Sequence, residues 1–183
     1  MKFKLSIKSL IYRLRGEVCT EDLIKLGLRV GKNFSRQAHC MIDDSYCWLI
    51  QIGDNVTLAP RVHILAHDAS TGHHIGLVRI GKVNIGNNVF IGAGSIILPN
   101  VSIGDNVIVG AGSVVTKDIA ANVVAAGNPA RIISSIDDFI QKNKALMKKR
   151  PWYGERYTLR RNVTREKKRQ MILELEDEVG FII

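Results

Sequence analysis

The stretch "HDASTGHH" runs from His67 to His74 and holds three of the chain's five histidines, with His63 just ahead of it. Imidazole is the side chain whose ordinary pKa lets it take and return a proton near neutral pH. A general base also needs a rigid mount, and His67 sits where ordered chain gives way to a polar loop. It is therefore the candidate base, with a hydrogen-bonded loop residue as the plain alternative. His73 and His74 read as loop surface or contacts to a bound substrate rather than metal ligands. Carboxylates stand nearby: Asp68 follows directly, and Asp43 and Asp44 lie upstream in "CMIDDSYCW". Asp43 is a candidate to face a bound substrate or a neighbouring copy of the chain, against a role as a turn-forming aspartate. What orients His67 is left open by the sequence.

These residues need a scaffold, and the surrounding chain has one with an unusual period. Read in sixes, it gives "IGDNVT" from Ile52, "LAPRVH" from Leu58 and "ILAHDA" from Ile64. It resumes with "IGNNVF" from Ile85, "IGAGSI" from Ile91, "ILPNVS" from Ile97, "IGDNVI" from Ile103, "VGAGSV" from Val109 and "VTKDIA" from Val115. A helix repeats near 3.6 and a half-buried strand at 2, so neither explains a period of six as one long element. A short strand plus a sharp turn, repeated, does explain it, and hexapeptide β-helices are one such architecture. The first and fifth residues of each hexad point inward. Gly, Asn and Asp take the corners, where left-handed backbone is cheap for them. "VGKNFS" from Val30 and "IDDSYC" from Ile42 are looser hexads, so the coil starts near residue 30.

The hexad at Ile64 breaks the pattern with Asp68 in an inward place, where an unpaired carboxylate is very costly. The interval from Ile64 to Ile85 is not a multiple of six. An excursion over 68–82 is expected, and long loops on rigid repeat scaffolds usually carry function.

With these hexads, the loop and "AAGNPAR" after them, the chain from about 50 to 133 resembles the hexapeptide-repeat acyltransferases. It is most similar to the maltose/galactoside O-acetyltransferase branch and to the O-acetyltransferases of surface polysaccharide biosynthesis. The resemblance implies a mainly β fold, a left-handed parallel β-helix, usually trimeric, with sites between adjacent prisms. It implies an acetyl-CoA-dependent O-acetyltransferase acting on a hydroxyl of a sugar or saccharide, with no metal. The family's catalytic histidine falls on His67. The residue after it is commonly Pro, and Asp68 departs from that at the acceptor side, where Asp68 and His73 become candidate substrate contacts. Phe90 falls in the wall near the thioester. Gly92–Ala93 and Gly110–Ala111, eighteen residues apart, stack one coil above the other, and small residues there leave backbone exposed along a groove suited to the pantetheine arm, with corner-turning as the glycines' plain role; the resemblance places Ala93 and Ala111 along that arm. Thr116, Lys117 and Arg131 fall near the nucleotide end, where phosphates call for cationic donors. An N-acetyltransferase on an amino sugar is the runner-up. A γ-carbonic-anhydrase-like metal lyase and an inactive scaffold are weaker alternatives.

The flanks read differently. The chain of 183 residues divides into an N-terminal amphipathic helical segment (1–29), the β-helix (30–133) and a C-terminal helical extension (134–183). The net charge of +9 lies in the two flanks, with the repeat region neutral. A basic balance invites anionic partners, but no nucleic-acid motif accompanies it. Residues 2–15 place apolar side chains at helical spacing; the segment is expected to cap the open prism, with weak membrane-surface contact as the alternative. Three cysteines without metal spacing fit a reducing, cytoplasmic setting. Thr164 is a candidate cap for the last helix. Pro129 ends the prism, because proline cannot continue a ladder.

Overall fold

The computed structural model describes residues 16–183; the N-terminal helix expected over 2–15 lies outside the described residues. The chain forms two compact units, one running to Ile136 and the other Asp137–Ile183.

In the first unit the hexads become two- to four-residue strands that visit three sheets in turn. The first sheet holds Arg29–Val30, Ile50–Ile52, Val83–Ile85 and Val101–Ile103. The second holds Ser35–Arg36, Thr57–Leu58, Phe90–Ile91, Ile108–Val109 and Val123–Ala126. The third holds Met41–Ile42, His63–Ile64, Ile96–Ile97 and Val114–Val115. Neighbours pair in parallel, as Ile52↔Ile85↔Ile103, Leu58↔Ile91↔Val109 and Ile64↔Ile97↔Val115. The chain thus winds as a three-sided coil of parallel strands.

First and fifth hexad residues fill its axis. Ile52, Val56, Leu58, Val62, Ile64, Val89, Ile91, Ile97, Val107 and Val109 are all buried. Each contributes roughly 1.5–3 kcal/mol of apolar burial. Ser95 and Ser113 take fifth places without penalty because both hydroxyls donate to the Gly110 carbonyl, at 2.9 and 2.6 Å. The fourth residue of successive hexads has positive φ: Asn55, Arg61, Asn88, Gly94, Asn100, Asn106 and Gly112. Asparagine dominates because its short amide tolerates that region and can bond to the next coil. Asn33, Asn55, Asn88, Asn106 and Asn122 form a continuous amide ladder at 2.9–3.1 Å.

The prism is closed at both ends. Helix α1 (Thr20–Lys25) has Glu21 and Asp22 in its first turn and Lys25 in its last, the order its dipole favours. It buries Leu23 in the core. At the far end a cis Asn128–Pro129 bond follows Gly127. The chain then turns back as Arg131–Ser135, antiparallel to Val123–Ala126.

The excursion is an ordered ribbon. His67–Asp68 pairs antiparallel with Arg79–Ile80, and a short turn and helix α2 (Gly72–Ile75) lie between.

The second unit has helix α3 (Ile136–Met147), helix α4 (Arg165–Glu174) and a strand pair absent from the helical expectation, Trp152–Tyr153 with Phe181–Ile182. Thr164 caps α4, its hydroxyl accepting from the Lys167 amide at 3.4 Å. The Tyr153 hydroxyl donates to Glu174 at 2.9 Å and so pins the acidic end of α4.

Candidate active site

The corner between the third and first sheets is where the period fails, and it fails twice. In the ladder, Asn88 to Asn106 is 18 residues, but Asn33 to Asn55 is 22 and Asn55 to Asn88 is 33. Two consecutive coils therefore carry extra chain at this corner: a short bulge over 43–49 and the long ribbon. The expectation from sequence included only the ribbon.

Each insertion delivers one half of a dyad. His67 leaves the third sheet at the base of the ribbon, with its side chain 35% exposed. Its Nδ1 is 2.5 Å from Oδ2 of Asp43, at the start of the bulge. The Asp43 side chain is 1% exposed. A carboxylate so enclosed is tolerable only when fully bonded, and this one is. Oδ1 accepts from the Ser45 and Tyr46 amides at 3.1 and 3.2 Å, and Oδ2 accepts from the Ala66 amide at 2.8 Å. All those partners are donors, so Asp43 accepts from His67 as well. Nδ1 then carries the proton, and the lone pair is left on Nε2. The Tyr46 ring backs the imidazole at 5.4 Å between centroids.

Asp43 was a candidate to face the acceptor or a neighbouring subunit, against a turn-forming role; in the structure its side chain is buried behind His67 and bonds the turn amides of Ser45 and Tyr46. The answer to what orients His67 was missed because the bulge was not counted. Its signal is in the sequence, since ten residues separate Ile42 from Ile52 where two hexads would need twelve or one would need six.

Asp68 adjoins His67 but serves the ribbon. Oδ1 accepts from the Ser70 amide at 2.9 Å and Oδ2 from Arg79 at 3.0 Å. The Ser70 hydrogen bonds, then Arg79, hold its carboxyl below the usual carboxylate range. His73 is exposed on α2.

The small-residue stack is tighter than an open groove. Gly92 is buried, and a Cβ there would lie 2.4 Å from the Ala111 nitrogen; one at Gly110 would lie 2.8 Å from the Ala126 Cβ. These glycines let the coils close on each other. Ala93 and Ala111 are exposed and adjacent, with the Gly112 amide donating to the Ala93 carbonyl at 2.8 Å. Phe90 is 45% exposed, and Thr116, Lys117 and Arg131 are exposed.

The cysteines supply no competing nucleophile: all three are buried, and burial pushes the Cys40 and Cys47 thiols up. Among the described residues no three His, Cys, Asp or Glu side chains are grouped to hold a metal ion.

Residues 82–117 match the bacterial transferase hexapeptide family (six repeats). The chain is 42% identical to Protein CapG of Staphylococcus aureus over 144 residues, which is 74% of this chain and 83% of CapG. Among solved structures it resembles a maltose O-acetyltransferase from Clostridium difficile 630, with 46% identity and a TM-score of 0.55 over 60% of this chain and 59% of that one. It also resembles a galactoside acetyltransferase solved in complex with coenzyme A, with 30% identity and a TM-score of 0.52 over 76% of this chain and 88% of that one. The chain thus spans most of CapG and about three fifths of the maltose enzyme. With its six-residue period and stacked coils, the chain belongs to the hexapeptide-repeat acyltransferases, in the maltose/galactoside O-acetyltransferase-like branch.

Proposed function

We propose that this enzyme is an acetyl-CoA-dependent O-acetyltransferase that moves an acetyl group to a hydroxyl of a sugar or saccharide, with His67 as general base. The observation that carries the reading is the His67–Asp43 pair, a half-exposed imidazole oriented by a fully bonded, buried carboxylate. Such a pair is built to take one proton from one direction.

In this reading the acceptor hydroxyl gives its proton to Nε2 of His67, and its oxygen attacks the thioester carbonyl. The negative charge on the tetrahedral intermediate calls for preorganised backbone N–H donors. Collapse breaks the carbon–sulfur bond, and the imidazolium returns its proton to the leaving thiolate. The imidazolium formed midway is stabilised by Asp43, which is why the carboxylate sits behind the ring. Coenzyme A is the donor carrier because a solved relative was complexed with it. Its narrow arm fits along Phe90, Ala93 and Ala111, and its phosphates fit Thr116, Lys117 and Arg131. Gly92 and Gly110 contribute by keeping that stack close. The ribbon over 68–82, through His73, borders the acceptor. A left-handed sense of winding, a homotrimer with sites between prisms, a cytoplasmic location and a role in surface polysaccharide biosynthesis belong to the same reading.

The test follows thiol release from acetyl-CoA against a panel of sugars and amino sugars, with His67→Ala beside the wild type. Acceptor-dependent release is expected, falling by about 10²–10⁴-fold in the variant. A best acceptor that is an amine would turn the reading to N-acetylation. Absence of coenzyme A binding would overturn it.

A further inference from the structure

The bulge over 43–49 does more than deliver Asp43. Three anchors hold it. Asp43 ties down the Ser45 and Tyr46 amides. Cys47 is fully buried, with its Sγ 3.6 Å from the Leu23 carbonyl. Gly27, at φ +111°, makes room for Trp48, whose Cβ would be 2.9 Å from any Cβ at position 27. With Cys47 turned inward, Trp48 faces out, while Tyr46 is half-buried and packs against the core.

The result is an aromatic shelf that begins at the catalytic imidazole. Tyr46 lies 5.4 Å from the His67 ring and meets Trp48 edge-on at 5.6 Å. Trp48 is 50% exposed. Asp44 and Ser45, beside them in the chain, are also exposed. Trp48 thus keeps half its indole surface open next to Tyr46 and the imidazole, an apolar ring face with a polar edge. A pyranose has the matching chemistry. Its C–H face packs on an aromatic ring, and its rim of hydroxyls pairs with a carboxylate and a hydroxyl.

We propose that Trp48 is a saccharide platform, stacking beneath the sugar unit next to the one that is acetylated. From His67 to Trp48 the shelf spans two consecutive ring contacts, so it favours an oligosaccharide or the end of a glycan over a free monosaccharide. This rests on the O-acetyltransferase reading and names its substrate class.

The chain has two tryptophans, Trp48 and Trp152, so Trp152→Phe leaves Trp48 as the sole indole. Its emission is titrated with glucose, galactose, maltose, maltotriose and lactose. The same sugars are assayed by thiol release in the wild type, Trp48→Ala and Trp48→Phe. Expected are emission changes at lower concentration for the longer sugars. In Trp48→Ala the ratio of kcat/KM for maltotriose over glucose falls by about tenfold, the worth of one aromatic contact, and Trp48→Phe restores most of it. Acceptor-dependent release with that ratio equal in all three proteins overturns the platform while leaving the transferase. Loss of coenzyme A binding overturns the transferase, and the emission titration then still decides the platform. Emission indifferent to every sugar overturns it.

Discussion

Nδ1 of His67 and Oδ2 of Asp43 are 2.5 Å apart although 24 residues separate them in the chain. The contact follows from the strand register, which stacks Ile42 on Ile64 and leaves Asp43 and His67 just beyond those strands. Asp43→Asn must place its amide N–H₂ either against the Ser45 and Tyr46 amides or against His67 and the Ala66 amide. In the second arrangement the imidazole is driven to the other tautomer. We expect kcat to fall by about a hundredfold or more, with KM for acetyl-CoA little changed. In a His67→Ala background the same substitution should cost almost no further kcat, because the two residues act as one unit. A full additive loss in that double variant would make Asp43 structural only.

Gly92 and Gly94 offer a controlled comparison of coil stacking against backbone conformation. A Cβ at Gly92 meets backbone of the next coil, whereas Gly94 has open space but φ +70°. Gly92→Ala should destabilise by about 1–3 kcal/mol or more through overpacking that backbone cannot relieve. Gly94→Ala should cost about 1–2 kcal/mol through left-handed strain. Urea unfolding would measure both.

The asparagine ladder makes a similar prediction. Asn106 sits at φ +54° and bonds to Asn88 and Asn122. Asn106→Ala should lose about 1–2 kcal/mol from the backbone alone, and Asn106→Gly clearly less, since glycine keeps the conformation. Equal losses in the two would show that the ladder bonds, not φ, carry the corner.

Lys117 and Arg131 are exposed cations proposed to meet the phosphates of coenzyme A. Each alanine variant should raise KM for acetyl-CoA by about three- to tenfold, less so at high salt. With dephospho-coenzyme A thioester as donor, one of these effects should shrink. No change in KM with either donor would remove that residue from the site.

Tyr153 has its phenol pushed up to about 12, first by desolvation and then by its hydrogen bond to Glu174. Because the unfolded phenol ionises near 10.0, the unfolded chain loses a proton that the folded chain keeps. Stability should therefore be full below about pH 10 and fall from there to about pH 12. Alkaline unfolding of residues 137–183, followed by tyrosine absorbance, should show this slope, and Tyr153→Phe should flatten it.

The repeat was legible because its residues answer local questions. An inward place must be apolar or small, and a left-handed corner must be Asn, Gly or Asp. Those constraints recur every sixth residue, so Ile52 through Val115 could be placed without a fold in hand, as could the excursion at Asp68. His67 was legible as the histidine at that break. Asp43, Tyr46 and Trp48 were not given their places, since those depend on how coils of unequal length align. Counted in 18-residue coils, Asp43 falls well away from His67; the four extra residues of this coil shift the count, so that Ile42 pairs with Ile64. How closely the next coil packs on Gly92 was not legible, because sequence shows a missing side chain and not what fills the space. The sequence by itself therefore determined the prism, its corners, its one long break and the histidine at that break. Only the tertiary structure decided what holds that histidine and which aromatic rings stand beside it, because those contacts join residues on different coils, whose register no local pattern encodes.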